Sequence, residues 1–324
     1  MNEFSAIQHF FTRSSHSLRS DVKLGIGDDA ALLQPPPGQL LAMTTDTLVS
    51  GRHFPEQTCA ADIAHKALAV NLSDLAAMGA TPAWILLALT LPELSDIWLD
   101  GFTKSFFQLM DRFACQLVGG DLTQGPLSIT IQAIGFVSPQ NVLRRQGAQP
   151  GDLIYVTGHL GDAGLALACL ENPHLFSLTS GQQQTLLQRL NRPEPRVASG
   201  LALSGLASAA IDISDGLAAD LTHLLQASQV GAIIQTAQLP LSPILKTFPA
   251  ASAWSWALSA GDDYELCFTV PREKQSFLAE ALEDSGCSYH LIGEITQGDS
   301  LQVLTPEKNS FSFPSRGFEH FKKK

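Results

Sequence analysis

The chain has 324 residues, of which 45% are hydrophobic, and its formal net charge is −11. This length exceeds the usual span of one compact core, so two domains are expected, and the apolar content is enough to fold both. The acidic balance argues against a nucleic-acid partner, because phosphate backbones select basic surfaces.

Membrane insertion and secretion are not expected either. The longest apolar run, residues 84–91, is far shorter than the roughly 20 residues that a membrane helix needs. The N-terminus carries Glu3 and no basic segment before an apolar stretch, so no signal peptide is predicted. The five cysteines are odd in number and never spaced as CxxC, which indicates reduced thiols and a cytoplasmic protein.

Apolar periodicity predicts the elements of the first half in chain order. These are a helix over 3–13, a strand over 40–45 that ends at Asp46, a helix over 60–78 that stops at Gly79, a strand over 83–91, a helix over 97–115, a short stretch 116–118 before Gly119, and a strand over 128–137. A polar stretch with proline and glycine follows, at 138–152. It predicts an N-terminal domain over 1–138 and a C-terminal domain over 150–324.

The second half continues with strands and helices in alternation. The predicted elements are a strand over 153–156, a glycine-rich turn over 157–164 that leads into a helix, helices near 183–190 and 196–206, a strand over 209–213, a helix from Leu217, a strand over 266–270 and a helix over 272–286. Such alternation is typical of α/β or α+β layers.

Many aspartates stand in apolar or glycine-rich settings with no basic residue beside them. They are Asp28, Asp29, Asp46, Asp74, Asp121, Asp212 and Asp215. Those of the first half are predicted at the ends of elements, where they can converge on one rim of a sheet. Buried carboxylates are costly without cations, and Mg²⁺ commonly bridges carboxylates to nucleotide phosphates. Several magnesium ions holding a nucleotide are therefore one hypothesis; the alternative for each aspartate is a helix cap or a turn.

Other motifs bear on how the chain would bind phosphates and on the type of reaction. Gly119-Gly-Asp121 and Gly25-Ile-Gly27 would let the backbone approach phosphates, although each alone is also typical of a turn. There is no P-loop sequence and no protein-kinase signature. Arg144-Arg145 is interpreted as solvated surface or as a phosphate contact, and His53 as structural or as a substrate contact. No nucleophile with a plausible base stands out, which suits direct phosphoryl transfer to an acceptor that is already anionic.

At these motifs the chain resembles the thiamine-monophosphate kinase family, within the aminoimidazole-ribonucleotide-synthetase-like ATP-binding superfamily. The resemblance runs in order through nearly the whole chain: Leu24-Gly-Ile-Gly-Asp-Asp-Ala-Ala31, Thr44-Thr-Asp-Thr-Leu-Val49, His53-Phe54, Lys66-Ala-Leu-Ala-Val-Asn-Leu-Ser-Asp-Leu-Ala-Ala-Met-Gly-Ala80, Gly119-Gly-Asp121, Pro150-Gly-Asp152, Ile211-Asp-Ile-Ser-Asp-Gly-Leu217 and Asp263-Tyr-Glu-Leu-Cys-Phe268. It implies a two-domain α/β fold, a homodimer with a barrel shared by the N-terminal halves, and magnesium-assisted transfer of the γ-phosphate of ATP to thiamine monophosphate.

The resemblance also implies roles for individual residues. The implied magnesium ligands are Asp29, Thr44, Thr45, Asp46, Asp74, Asp121, Asp212 and Asp215. The implied ATP contacts are Gly120, Asp121, Arg145 and Ser214, and the implied thiamine-phosphate contacts are His53, Asp262 and Phe318. The family's usual Gly-Gly-Glu-Asp reads Ala260-Gly-Asp-Asp263 here, so the carboxylate at Asp262 is one methylene shorter.

Two alternatives stay open from the residues. One is a sister ATP-using synthetase, although this chain has no cysteine before Cys59 and ends in Lys322–Lys324 rather than in a cysteine. The other is a protein that binds metal or nucleotide without catalysis.

Overall fold

The computed structural model describes residues 2–13 and 19–313. It divides into two compact units by its internal contacts. The first comprises the described residues up to Leu75 together with Ala80–Pro139, and the second comprises Ala76–Gly79 and the described residues from Gln140 onward. In this part of the chain no helix is both long enough and apolar enough to cross a membrane.

The first unit is built on a four-stranded sheet. Its elements are α1 Glu3–Ala6, which continues as a π-helix over Ile7–Phe11, then β1 Val22–Leu24, β2 Leu32–Leu33, β3 Leu40–Val49, α2 Ala60–Ala77, β4 Thr81–Leu91, α3 Asp96–Arg112, β5 Gln116–Gln124 and β6 Ser128–Val137. The sheet has the order β3-β6-β4-β5 and is antiparallel except for the β4–β5 pair, while β1 and β2 form a small separate ribbon.

The two faces of this sheet differ in burial. Along β6, Ile129, Ile131 and Ala133 are fully buried, whereas Thr130 and Gln132 between them are partly exposed. Successive side chains of a strand point to opposite faces, so one face of the sheet is covered and the other is open over this stretch.

At one end of the strands the open face is covered by the β1–β2 ribbon. Val22 and Leu33 pack there against a cluster around Trp84 and Phe136, whose rings meet edge to face with centroids 4.9 Å apart. The indole Nε1 of Trp84 donates a 2.9 Å hydrogen bond to Asp21, which satisfies its polar atom inside the cluster.

The second unit is built on a six-stranded sheet. Its elements are β7 Leu153–Thr157, α4 Asp162–Glu171, α5 Ser180–Asn191, α6 Val197–Leu203, β8 Ala209–Asp212, α7 Leu217–Ser228, β9 Gly231–Gln235, α8 Ala250–Ser259, β10 Leu266–Val270, α9 Leu278–Leu282, β11 Tyr289–Thr296 and β12 Leu301–Leu304. The strand order is β12-β9-β11-β7-β10-β8, and every pair is antiparallel except β12 with β9. The fold class is therefore mixed α and β in layers, as predicted.

The central strands β7 and β10 are buried at every position. On one face Val156 and Cys267, which are paired in register, join the main core cluster. On the other face their neighbours Tyr155 and Phe268 are also paired, and their rings stack with centroids 5.5 Å apart. Burial on both faces explains why these strands are continuous apolar runs in the sequence.

The structure corrects the prediction that the first-half aspartates lie at the ends of elements. Asp46 lies inside β3 and Asp121 inside β5, because both strands run several residues beyond the predicted ends. Asp74 lies inside α2, three residues before the helix ends at Ala77. The strands continue because threonines favour extended backbone, and neighbouring strands supply the ladder hydrogen bonds that an apolar run does not reveal.

In the second half one further prediction was wrong, and some elements were not predicted at all. The predicted helix over 272–286 is broken into two 3₁₀ segments around α9. Strands β9, β11 and β12 were not predicted, because their apolar and polar residues mix without a clear period.

A pair of helical glycines provides a test of the packing. Gly164 in α4 faces Ala260, whose Cβ would lie 2.1 Å from a Cβ added at residue 164, whereas a Cβ added at Gly181 in α5 meets nothing within 4 Å. Gly164→Ala is expected to lower the free energy of unfolding by about 1–3 kcal/mol through overpacking. Gly181→Ala is expected to raise it by about 0.4–1 kcal/mol through reduced backbone entropy of the unfolded chain. Denaturant titration of both variants measures the difference, and equal effects would contradict the packing described for α4.

Candidate functional site

The first unit contains a cavity of about 680 Å³ between the N-terminal helices, the segment after β1, and strands β4 and β5. Its lining includes apolar side chains such as Phe11 and Leu87 and the carboxylates of Asp29 and Asp121. An apolar wall beside carboxylates suits a ligand with a flat apolar ring and an anionic tail that metal ions neutralise.

Gly120 is required where β5 borders this cavity. Its φ is +153°, and a Cβ at this position would lie 1.9 Å from the carbonyl oxygen of Leu87 on the paired strand. No other residue type fits without moving the strands apart. Packing of β5 against β4 therefore explains the glycine at 120, and the approach of a phosphate to this backbone stays a prediction.

Strand β3 and helix α2 bring a second acidic group together. Thr44 and Asp46 lie two residues apart on the strand and share one face, and the helix places Asn71 and Asp74 one turn apart. The hydroxyl of Thr44 donates to the carboxylate of Asp74. The backbone N–H of Asp46 donates to the side-chain oxygen of Asn71 at 3.2 Å. Three of the predicted magnesium ligands thus lie at one helix–strand contact.

The electrostatics of this group favour a cation. Burial, and then the negative charge of Asp74, raise the pKa of Asp46 to about 6. The donors are a hydroxyl and carboxylate oxygens, which are the hard ligands that Mg²⁺ prefers. Within residues 2–13 and 19–313, no three histidine, cysteine or acidic side chains form a metal site on their own. The donor set therefore fits ions that keep water or phosphate oxygens as remaining ligands.

Thr45 and His53 are placed apart from that contact. Thr45 points to the open face of the sheet, where Gln132 donates to its hydroxyl at 3.4 Å. His53 follows β3, and its Nδ1 accepts a 2.9 Å hydrogen bond from the backbone N–H of Val49. In the neutral ring this bond makes Nε2 the protonated nitrogen.

In the second unit the segment after β8 forms a tight turn. Asp212 is the buried last residue of β8, and the backbone N–H groups of Ser214, Asp215 and Gly216 all donate to one carboxylate oxygen of Asp220, at 3.0, 3.0 and 3.1 Å. Burial raises the pKa of Asp220 to about 7, although the three backbone donors oppose that shift. Asp220 thus fixes the backbone that carries two predicted ligand residues.

The turn at 261–265 lies against this segment. The backbone N–H of Asp262 donates to the carbonyl of Ser214, and that of Tyr264 donates to the carbonyl of Ile213, both at 2.8 Å. The structure thereby brings Asp262 next to Ser214.

Two other predicted contacts are Arg145 and Phe318. Arg145 is exposed before β7, and its carbonyl accepts a hydrogen bond from Ser228. Phe318 lies outside the described residues.

Sequence reasoning did not single out several residues that shape these segments. They are the N-terminal helix residues along the cavity, Asn71, Asp220, Arg189, Arg196 and Glu265. Two of them carried a signal. Asn71 precedes Asp74 by one helical turn, and Asp220 stands in the first turn of the helix that begins at Leu217. The two arginines could not be found, because only tertiary structure brings them to Glu265.

Comparison with known proteins identifies the family models that the two halves of the chain match. Residues 27–137 match the model of the AIR synthase related protein N-terminal domain, and residues 149–305 match that of the C-terminal domain. Thiamine-monophosphate kinase of Escherichia coli is 48% identical over 98% of both chains. The crystal structure of thiamine-monophosphate kinase from Stenotrophomonas maltophilia is 47% identical, with a TM-score of 0.83, and covers 88% of this chain and 92% of that one.

A solved structure of AaThiL, complexed with AMPPCP and TMP, is 32% identical to this chain. It has a TM-score of 0.73 and covers 88% of this chain and 91% of its own. Sequence identity and fold therefore agree along nearly the full length. The chain belongs to the thiamine-monophosphate kinase family of AIR synthase related proteins.

Proposed function

We propose that this protein transfers the γ-phosphate of ATP to thiamine monophosphate and so makes thiamine diphosphate. The observation that carries the proposal is the 48% identity over 98% of the chain to a thiamine-monophosphate kinase. The AaThiL structure, which holds AMPPCP and TMP together, supports ATP and thiamine monophosphate as the two substrates.

The first unit has the features that ATP needs. The apolar part of the cavity suits the base, and the bare backbone at Gly120 suits the phosphates. The acceptor phosphate is already an anion, so no general base is needed, and positioning with charge neutralisation suffices for direct transfer. We propose that Arg145 and Ser214 of the second unit also contact ATP.

Magnesium ions held by the carboxylates would supply the charge neutralisation that the phosphates need. We propose as ligands in the first unit Asp29, Thr44, Thr45, Asp46, Asp74 and Asp121, and in the second Asp212 and Asp215. Thr44 and Thr45 point to opposite faces of β3, so their hydroxyls would serve different ions. The carboxylate pair of Asp46 and Asp74 would be relieved of its repulsion by the ion it shares.

For the acceptor we propose contacts from His53, Asp262 and Phe318. The thiazolium ring carries a permanent positive charge, which suits a carboxylate and an aromatic face. We propose a cytoplasmic location, where a chain with five unpaired cysteines is expected.

A coupled ADP-release assay tests the reaction. With ATP, Mg²⁺ and thiamine monophosphate we expect ADP release that depends on all three. Unphosphorylated thiamine is the control acceptor, and we expect no turnover with it, because its hydroxyl would need a general base that the proposed mechanism does not contain. Absence of ADP release with thiamine monophosphate would contradict the proposed function and would favour a protein that only binds nucleotide or metal.

Asp74→Asn tests the carboxylate pair. We expect turnover to fall by several orders of magnitude, because a neutral amide is a poor magnesium ligand. In EDTA the variant should melt at the wild-type temperature or above it, since repulsion with Asp46 is removed. The matched control is Asp100→Asn, which changes a surface aspartate of α3 paired with Lys104. Near-normal turnover of Asp74→Asn would contradict the assignment.

A homodimer is also proposed, on the basis of the edge strand β3. Large apolar side chains are exposed along it, with exposed fractions of 49% for Leu40, 45% for Leu41, 57% for Met43 and 38% for Val49. Among the residues that the structure describes, the strand order leaves one side of β3 without a partner strand in its sheet. An apolar edge strand invites pairing, and closure with a second copy would remove the edge and cover the open face.

Met43→Lys tests this interface. A lysine in the middle of the edge strand should convert a wild-type dimer to a monomer, because burying its charge opposes association. Light scattering after size-exclusion chromatography gives the mass. Ile97→Lys is the control, because Ile97 is 89% exposed on α3 and away from β3. A monomeric wild type, or a Met43→Lys protein that remains dimeric, would contradict the proposed interface.

A further inference from the structure

A buried ion cluster lies under the turn that carries Asp262. The side chain of Glu265 is 1% exposed and accepts four hydrogen bonds. They come from Thr157 at 2.7 Å, from Arg189 at 2.8 Å, and from the Nε and Nη2 atoms of Arg196, both at 2.6 Å. The two-point contact with Arg196 fixes the orientation of the carboxylate as well as its position.

The backbone around Glu265 is tightly packed. Gly158, whose φ is +58°, lies so close that an added Cβ would be 2.1 Å from a carboxylate oxygen of Glu265. Two residues earlier in the turn, the buried Asp263 accepts the backbone N–H of Gly161 on both oxygens, at 2.9 and 3.0 Å. The turn is therefore held by side-chain hydrogen bonds at two positions, Asp263 and Glu265.

Between and beside these anchors the backbone takes a conformation that side chains disfavour. Asp262 has φ +68° and Tyr264 has φ +49°, the left-handed region where non-glycine residues are uncommon. Such a conformation persists only where the surroundings enforce it, and it concentrates at functional sites. Here the enforcing contacts are the ion cluster below and the hydrogen bonds from Asp262 and Tyr264 to Ser214 and Ile213 above.

We infer that Glu265, clamped by Arg189 and Arg196, is a positioning residue for the thiamine-phosphate acceptor, because it holds Asp262 in its left-handed conformation. The inference rests on the proposed function, since it takes Asp262 as an acceptor contact. Glu265 itself is fully buried, so it acts through the backbone and not by touching the substrate. The shorter carboxylate at Asp262 increases this dependence, because an aspartate has fewer side-chain torsions than a glutamate with which to compensate a backbone shift.

A purely structural role for Glu265 predicts a different effect of its loss. If Glu265 only stabilises the second unit, its loss should lower the melting temperature and leave the Michaelis constant for thiamine monophosphate and the local order of the turn unchanged. If it positions Asp262, its loss should release the backbone N–H groups of Asp262 and Tyr264 and weaken acceptor binding.

The experiment is Glu265→Gln, which keeps the side-chain shape and removes the charge. We expect the KM for thiamine monophosphate to rise by about tenfold or more, equivalent to about 1.4 kcal/mol of binding, with the KM for ATP changed much less. Amide hydrogen exchange at Asp262 and Tyr264 should become faster. The control is Glu294→Gln, which breaks the exposed ion pair with Arg272 and should change none of these quantities.

Arg196→Lys is the second variant, in case Glu265→Gln does not fold. It keeps the positive charge and loses the two-point contact, so a smaller shift in the same direction is expected. Wild-type exchange at both amides together with a wild-type KM for thiamine monophosphate would overturn the inference. If the wild-type protein does not phosphorylate thiamine monophosphate at all, the proposed function fails. In that case unchanged exchange overturns the anchoring and faster exchange supports it.

Discussion

The burial of carboxylates is the constraint on which both units depend. A buried carboxylate destabilises the fold unless hydrogen-bond donors or cations offset its charge, and breaking a buried ion pair costs about 3–5 kcal/mol. In the second unit Glu265 obtains two arginines, which lower its pKa although burial alone would raise it. Asp220 obtains three backbone N–H groups. The donors around Glu265 and Asp220 also fix two backbone segments that carry candidate ligand-binding residues.

The first unit solves the same problem differently. Asp46 and Asp74 are held near each other by a threonine hydroxyl and an asparagine, and burial with mutual repulsion raises the pKa of Asp46 to about 6. Without a cation, the Asp46–Asp74 pair stabilises its charges less well than the cluster of Glu265 with its two arginines. It becomes favourable with a cation, so we interpret it as a site whose last component arrives with the nucleotide.

Both units also contain a glycine that allows backbone to approach its neighbours closely. Gly120 lets β5 lie against β4 beside the cavity, and Gly158 leaves room for the carboxylate of Glu265. Both positions have a positive φ and no space for a Cβ. The first packs one strand against its neighbour, and the second packs an ion cluster beside a turn. A glycine-rich sequence by itself does not distinguish these uses.

The sequence by itself determined the mixed α and β fold, the family and the set of aspartates, because apolar period and motif spacing are local properties of the chain. It placed Asp46 and Asp121 at strand ends, which was wrong, because the ladder partners that extend β3 and β5 are distant in sequence. Only the tertiary structure decided that Thr44 contacts Asp74 and that Arg189 and Arg196 clamp Glu265. These contacts join residues 30 to 76 positions apart, and no local pattern encodes such a distance.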